Sequence, residues 1–484
     1  MQKKFLSNLI LVLILNVLVK PFYILGIDAE FLKRVEEANA GDYGEYFSLV
    51  GLTFIFNIFL DLGITNYNTR SVAQKEENIQ NHFSGILSLR VLLIFGYMAM
   101  LAVSGWLLGY SSHQFYLLSI LGLNQVLVAF ILFFRSNLSG LLRFKEDSII
   151  SVLDRAILVL ICSVILWSTI WKVEVTIELF VWLQTVSYAL TFVVAFFLVL
   201  RQTKFNGLSF DFTYFKTILK RSLPYALLIL LMMIYYRVDG VMIERMLVNG
   251  KREAALYAQG FRFFEAFTMI GYLFAGLLLP IFARMLSKNE DISAMVYLSF
   301  KIILAIGVLI GIGGYVFSYD LMNLRYEVIQ EDLEKSAAAF RFLMVCFVAM
   351  CTTYIFGTLL TANGSLKQLN YMAAGGVILN FVLNYFLIKS EGAEGAAKAS
   401  MITQGLTALA QIILAITILK IKIDFKELLR MAVFIVGVAA LSKAFSFDNW
   451  IYNVVLFFAC GGLWVLLSGM VQPKQALAIL KQRE

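Results

Sequence analysis

Fourteen runs of this chain are each apolar for about the 20 residues that a helix needs to cross ~30 Å of hydrocarbon. They fall near 5–27, 43–66, 84–108, 115–138, 149–171, 178–200, 222–247, 255–282, 293–318, 337–361, 370–389, 392–419, 429–447 and 449–471. Inside lipid a backbone amide finds no water, and a helix satisfies its own amides within a single segment. The fold class is therefore an all-α polytopic membrane protein with about 14 transmembrane helices. Only 15% of the residues are charged, against roughly 25% in soluble domains. The longest loops hold about twenty residues, too few for the catalytic domain that a membrane glycosyltransferase or polymerase carries, so an enzyme is not expected. Residues 1–27 open with Lys3-Lys4 as a signal peptide would. Their apolar run is too long for one and no small-residue cleavage site follows, so they read as an uncleaved first span.

Basic residues give the orientation. The segments that share a side with residues 1–4 hold about twenty-one Lys and Arg, and the opposite loops about eight together with acid-rich stretches at 28–42 and 320–334. By the positive-inside rule both termini face the cytoplasm. The net charge of +8 is spread over many short loops, which gives no footprint for nucleic acid.

The chain also repeats itself. Lys20 and Arg237 each lie fifteen residues into their helices, and Arg90 and Lys301 lie in the first turns of theirs. A loop with Arg70 and Lys75 matches one with Arg284 and Lys288, and a Ser-Gly-Leu-Leu-Arg turn ending at Arg143 resembles Asn-Gly-Ser-Leu-Lys ending at Lys367. These correspondences, in order and in one orientation, predict two pseudo-symmetric six-helix lobes, 1–221 and 222–425, followed by two further helices and a tail over 426–484. Parallel repeats place a substrate path between lobes.

Charges inside apolar helices cost at least ~2.5–3.5 kcal/mol each on insertion scales, and so they mark a cavity, a partner or a pathway. An outer set comprises Lys20, Arg237, Asp239, Arg262, Glu265 and Arg341. It is net basic and suits an anionic substrate such as a phosphate, which guanidinium binds bidentately. Its bland alternative is internal pairing of Arg237 or Arg262 with Asp239 or Glu265, holding helices together. An inner set comprises Asp61, Arg90 and Asp154 with Arg155, expected as mutual ion pairs that gate or brace; Arg135 snorkels to the headgroups. Asp239, Glu265 and Asp61 are also candidates to carry a coupling ion, H+ or Na+. Neutral polar residues inside helices (Asn16, Asn57, Asn124, Gln125, Gln184, Asn380, Asn384, Gln404, Gln411) suit sugar hydroxyls, although interhelical hydrogen bonds use the same groups. Four cysteines within apolar spans and two histidines in separate loops give no metal or haem site, and no cofactor is expected.

Several segments carry a resemblance. Gly41-Asp-Tyr-Gly-Glu-Tyr46, Asp61-Leu-Gly-Ile64, Tyr236-Arg-Val-Asp239, Ala255-Leu-Tyr-Ala-Gln-Gly-Phe-Arg-Phe-Phe-Glu265, Pro280-Ile-Phe-Ala-Arg284, Asn380-Phe-Val-Leu-Asn384 and Gly392-Ala-Glu-Gly-Ala-Ala397 resemble the Wzx-type oligosaccharide flippases. These belong to the multidrug/oligosaccharidyl-lipid/polysaccharide exporter superfamily. The resemblance runs from about residue 40 to 420. It implies a V-shaped pair of lobes, alternating access, and transfer of an undecaprenyl-pyrophosphate-linked repeat unit between leaflets of the bacterial inner membrane. The implied partners are membrane lipid, the lipid-linked oligosaccharide and the polysaccharide polymerase machinery, with the chain acting as a monomer. A peptidoglycan-precursor flippase is the nearest rival. An ion-coupled multidrug exporter would favour an acidic, aromatic cavity, and the net basic outer set argues against it.

Overall fold

A computed structural model describes residue 19 and residues 22–470 apart from 66–67, 69–71, 73–77, 142, 168–173, 204–206, 288, 327–329, 422–423 and 446, with 20–21 also outside it. The described residues are helical almost throughout, as the apolar runs require. A π-helical turn, Tyr23–Asp28, leads into α1 (Ala29–Ala38), α2 (Asp42–Phe56) and the single turn α3 (Ile58–Asp61). Then follow α4 (Asn78–Leu107), α5 (Ser112–Gly140), α6 (Phe144–Trp167), α7 (Ile177–Leu200), α8 (Phe212–Met246) and α9 (Gly250–Ser287). The remainder is α10 (Ser293–Val316), α11 (Ser318–Tyr326), α12 (Gln330–Asn363), α13 (Leu366–Leu419), α14 (Phe425–Leu441) and α15 (Trp450–Leu467).

Among the described residues ten helices are long and apolar enough to cross a membrane, so the chain is a multi-pass membrane protein. One of them, α13, is two expected spans joined at Gly392, whose φ of 58° and ψ of −129° turn the chain. That region is open to glycine and closed to side-chain-bearing residues. The expected span 255–282 lies within α9, 429–447 overlaps α14, and most of 5–27 lies outside the described residues. Several helix starts carry side-chain caps: Ser111 and Gln114 form a capping box on α5, Thr176 caps α7, and Asp211, Asp424 and Asn449 cap α8, α14 and α15.

The acid-rich stretch 28–42, expected as a loop, holds a helix. Phe31, Leu32 and Val35 of α1 are buried, and Phe31 stacks on Phe180 of α7 with ring centroids 4.3 Å apart. A helical apolar stripe outweighs the surrounding charge.

The chain forms two compact units, 1–258 and 259–484. In the first, α5 packs on α7, and α8 lies along α2. The core under α4, α5 and α7 is aromatic, with Phe83, Phe133, Phe134 and Tyr188. Gly44 lets α2 meet the start of α9, because a Cβ there would stand 1.8 Å from the Lys251 carbonyl oxygen. In the second unit, α12 packs against α13 and α10, while Phe263 of α9 meets Phe340 of α12 at 5.4 Å. The α14–α15 pair rests on α10 through Phe434, Val438 and Phe457. Helix α8 groups with the first unit.

Candidate functional site

The helix that begins at Asp42 breaks near its far end, and the break builds the first charged site. Leu62 and Gly63 take left-handed conformations (φ 45° and 78°), which end α3 once the Leu62 N–H has closed on the Ile58 carbonyl at 2.7 Å. Arg90 of α4 reaches the carbonyls left beside the break. Its Nη1 donates to Leu60 O at 3.3 Å and to Ala129 O at 3.1 Å, while its Nη2 reaches the Asp61 carboxylate and Thr65 Oγ1, the latter at 2.8 Å. Thr65 closes the ring, its N–H donating to Asp61 Oδ1 at 3.1 Å. The guanidinium sits over the Phe133 ring at 5.0 Å and is 2% exposed. Asp61 and Arg90 are thus an ion pair, as expected of the inner set. Asp154 meets Arg155 instead, at 3.9 Å, and that guanidinium lies over Tyr23 (4.5 Å) and Tyr188 (5.5 Å). The inner residues therefore form two clusters. Arg135, expected to snorkel, is anchored to Asp147 of α6 at 2.7 Å.

The outer set divides between the units. In the first, Arg237 is half-buried with its guanidinium over Phe54 (4.6 Å) and Tyr236 (5.1 Å). Asp239, 2% exposed, accepts a hydrogen bond from Tyr257 Oη of α9 at 2.8 Å. In the second unit, Arg262 binds Glu265 at 2.8 Å one turn along the same helix. That pair lies along α9 itself. Arg341 of α12 donates to Ser318 Oγ at 2.7 Å. Lys20 lies outside the described residues. Lys301, the counterpart of Arg90 in the repeat, is 6% exposed and pairs with Glu427 of α14 at 2.7 Å.

Several of the neutral polar residues stitch helices. Asn57 donates to Gln125 at 3.0 Å, Gln184 to Tyr46 Oη at 2.8 Å and Asn124 to Val181 O at 3.4 Å, whereas Asn384 donates to Asn380 at 3.0 Å within α13. Asn16 lies outside the described residues.

Some charged groups escaped sequence reasoning. Asp28, 2% exposed, accepts from Tyr43 Oη at 2.8 Å. It was assigned to a loop because hydropathy falls there, yet its flanks Ile27, Ala29, Phe31 and Leu32 keep helical spacing. Glu244 and Arg245 pair at the end of α8, where Gln114 donates to Glu244 at 3.1 Å. Outside the spans, Glu36 accepts from the N–H groups of Gly41 and Tyr43, both at 2.8 Å. Burial still pushes its carboxyl up to about 7, outweighing those hydrogen bonds, with nearby Asp42 adding to the rise. Among the described residues no group of three or more His, Cys, Asp or Glu is arranged to hold a metal ion.

Known proteins give the arrangement its context. Comparison with curated proteins finds no match. The structure is similar to that of the lipid II flippase MurJ in an inward closed conformation, with a TM-score of 0.74 at 14% identity over 95% of this chain and 98% of that one. It also resembles an outward-facing multidrug resistance MATE family transporter of the MOP superfamily (TM-score 0.58, 15% identity, 85% and 96% covered). A MATE transporter of Vibrio cholerae, VcmN, is similar too (TM-score 0.57, 14% identity, 86% and 98% covered). At such identities these likenesses speak for the fold. Residues 39–286 match the model of the family described as polysaccharide biosynthesis protein, which is more than half of the chain. This multi-pass chain, with the helical fold of lipid flippases and multidrug transporters, is a member of the polysaccharide biosynthesis protein family.

Proposed function

We propose that this chain moves undecaprenyl-pyrophosphate-linked oligosaccharide repeat units from the cytoplasmic to the periplasmic leaflet of the bacterial inner membrane. It does so by alternating access, supplying a cell-surface polysaccharide such as O-antigen or capsule, with both termini in the cytoplasm. One observation carries the reading: a member of the polysaccharide biosynthesis family places guanidinium groups, Arg237 and the 5%-exposed Arg262 foremost, within apolar helices. A bare pyrophosphate in hydrocarbon would cost on the order of tens of kcal/mol, so a protein that carries one must supply cations along the way.

Lys20, Arg237, Arg262 and Arg341 hold the anionic head while the lipid tail stays in the bilayer. The Asp61–Arg90 clasp closes the cytoplasmic end. Asp154, Asp239 and Glu265 take part in gating or carry the coupling ion, H+ or Na+. The chain works as a monomer and hands its cargo to the polymerase machinery.

The test is to extract lipids from cells lacking the gene and from the same cells expressing the wild type, and to quantify lipid-linked oligosaccharides by mass spectrometry. A finished repeat unit that accumulates on deletion and clears on re-expression supports the reading and names the sugar; an unchanged pool defeats it. The likeness to the lipid II flippase favours a second reading, transfer of a peptidoglycan precursor. Accumulation of that lipid in the same extracts, with the oligosaccharide pool unchanged, would select it.

A further inference from the structure

The first unit gathers charge at the end where α2, α5, α7 and α9 begin. The His113 ring, near the start of α5, lies between two carboxylates. Its Nε2 is 2.7 Å from Glu178 Oε1 of α7, and its Nδ1 is 3.3 Å from Glu45 Oε1 of α2. Lys251, at the start of α9, also pairs with Glu45. Asp42, on the first turn of α2, adds a third carboxylate close to both glutamates. From α1, Glu36 lies beside Asp42. From α8, Glu244 and Arg245 neutralise each other, and Gln114 joins them to α5.

An imidazole reaching two carboxylates through its two nitrogens can donate to both only when it carries both protons. A neutral ring donates once and leaves the other carboxylate facing a lone pair. Protonated His113 and Lys251 give two cations to Asp42, Glu45 and Glu178. Once the ring loses its proton, the bridge between Glu178 and Glu45 is lost while Lys251 stays paired with Glu45. The loss falls on α7.

We propose that His113 is a proton-operated latch on the first unit: doubly protonated, it ties the start of α7 to the start of α2, and loss of one proton lets the α7 end move away. Unperturbed imidazole changes charge near pH ~6.5. The latch therefore holds in acid and loosens as pH rises. Glu36 titrates in the same window and adds charge of the same sign, so it must be separated by experiment. Which side of the membrane the latch senses rests on the orientation proposed above; the latch itself does not.

The chain has two histidines, which makes the test direct. The full-length protein, labelled with 13C at histidine Cε1 and reconstituted in nanodiscs, gives two imidazole signals, and His113→Gln assigns them. Spin labels at Asn39→Cys and Glu174→Cys, both exposed positions, with the four native cysteines replaced by alanine, report the separation of the two helix starts. The distance should lengthen as pH rises, with a midpoint matching the His113 titration. It should be pH-independent in His113→Gln and keep its transition in Glu36→Gln. Glu178→Gln should shift the His113 midpoint. A transition that survives His113→Gln, or vanishes in Glu36→Gln, overturns the latch, as does a His113 midpoint indifferent to Glu178. None of these readouts depends on transport, so the latch can fail while the flippase reading stands, and the reverse.

Discussion

Arg90 illustrates how a guanidinium survives inside an apolar unit: every contact of its two terminal nitrogens is a carbonyl, a hydroxyl or the Asp61 carboxylate. Asp61→Asn keeps the shape and removes the counter-charge. Leaving a buried cation uncompensated costs about 3–5 kcal/mol, so this variant should unfold at lower temperature in detergent, and the paired change with Arg90→Met should recover part of the loss. Equal melting of wild type and Asp61→Asn would show that the clasp does not hold the fold. Glu36 gives a second prediction. Its carboxyl binds a proton more tightly in the folded chain than in the unfolded one, where the value lies near 4.5. Its contribution is fully present below that value and is lost as pH rises through about 7. Stability measured across this window should therefore fall for the wild type and flatten for Glu36→Gln. Both residues stood plain in the sequence, but only Asp61 announced itself. A charge in an apolar run is conspicuous, whereas the burial of Glu36 comes from the folding back of Gly41 and Tyr43 onto α1, which no local pattern records.

Helices were legible wherever lipid dictated their length, and less so where packing did. The spans of α4 to α8 follow from apolar runs, since hydrocarbon admits little else. The helix α1 was hidden because its charged face dominates a hydropathy average, while Phe31, Leu32 and Val35 bury the other face. Pairing between elements was the hardest to foresee. Lys301 was visible as a charge near the start of a span, but its partner Glu427 lies 126 positions away, on a helix the internal repeat does not contain. The pair fastens α14 to α10. Glu427→Gln should lower the unfolding midpoint by the equivalent of about 3 kcal/mol, since it strands a buried ammonium. Lys301→Met should cost less than Glu427→Gln, because it removes the charge that needs a partner. The opposite ranking, read by thermal melting of the two purified variants, would mean that the ammonium is solvated by something other than Glu427.

At the scale of the molecule, fold class and family could be read from length, periodicity and a handful of motifs, because a bilayer leaves few architectures open. The candidate site was legible as a set of residues and not as an arrangement: Arg262–Glu265 lies along one helix, Asp154 belongs with Arg155, and Asp28 went unnoticed. If the flippase reading holds, Arg237→Ala should slow clearance of the lipid-linked oligosaccharide about tenfold or more, the equivalent of one charge-assisted contact, while folded yield is retained. Arg237→Lys should restore part of the rate; full clearance by the alanine variant would remove this side chain from the path. The Lys301–Glu427 tie also has a practical meaning for anyone splicing this chain to a relative with fewer helices. Residues 293–316 and 425–467 form one transplantable block, joined by an ion pair and by the Phe434, Val438 and Phe457 contacts. A hybrid that takes the first without the second inherits a buried cation with no anion, and its failure to express would say nothing about the substrate specificity the exchange was meant to probe.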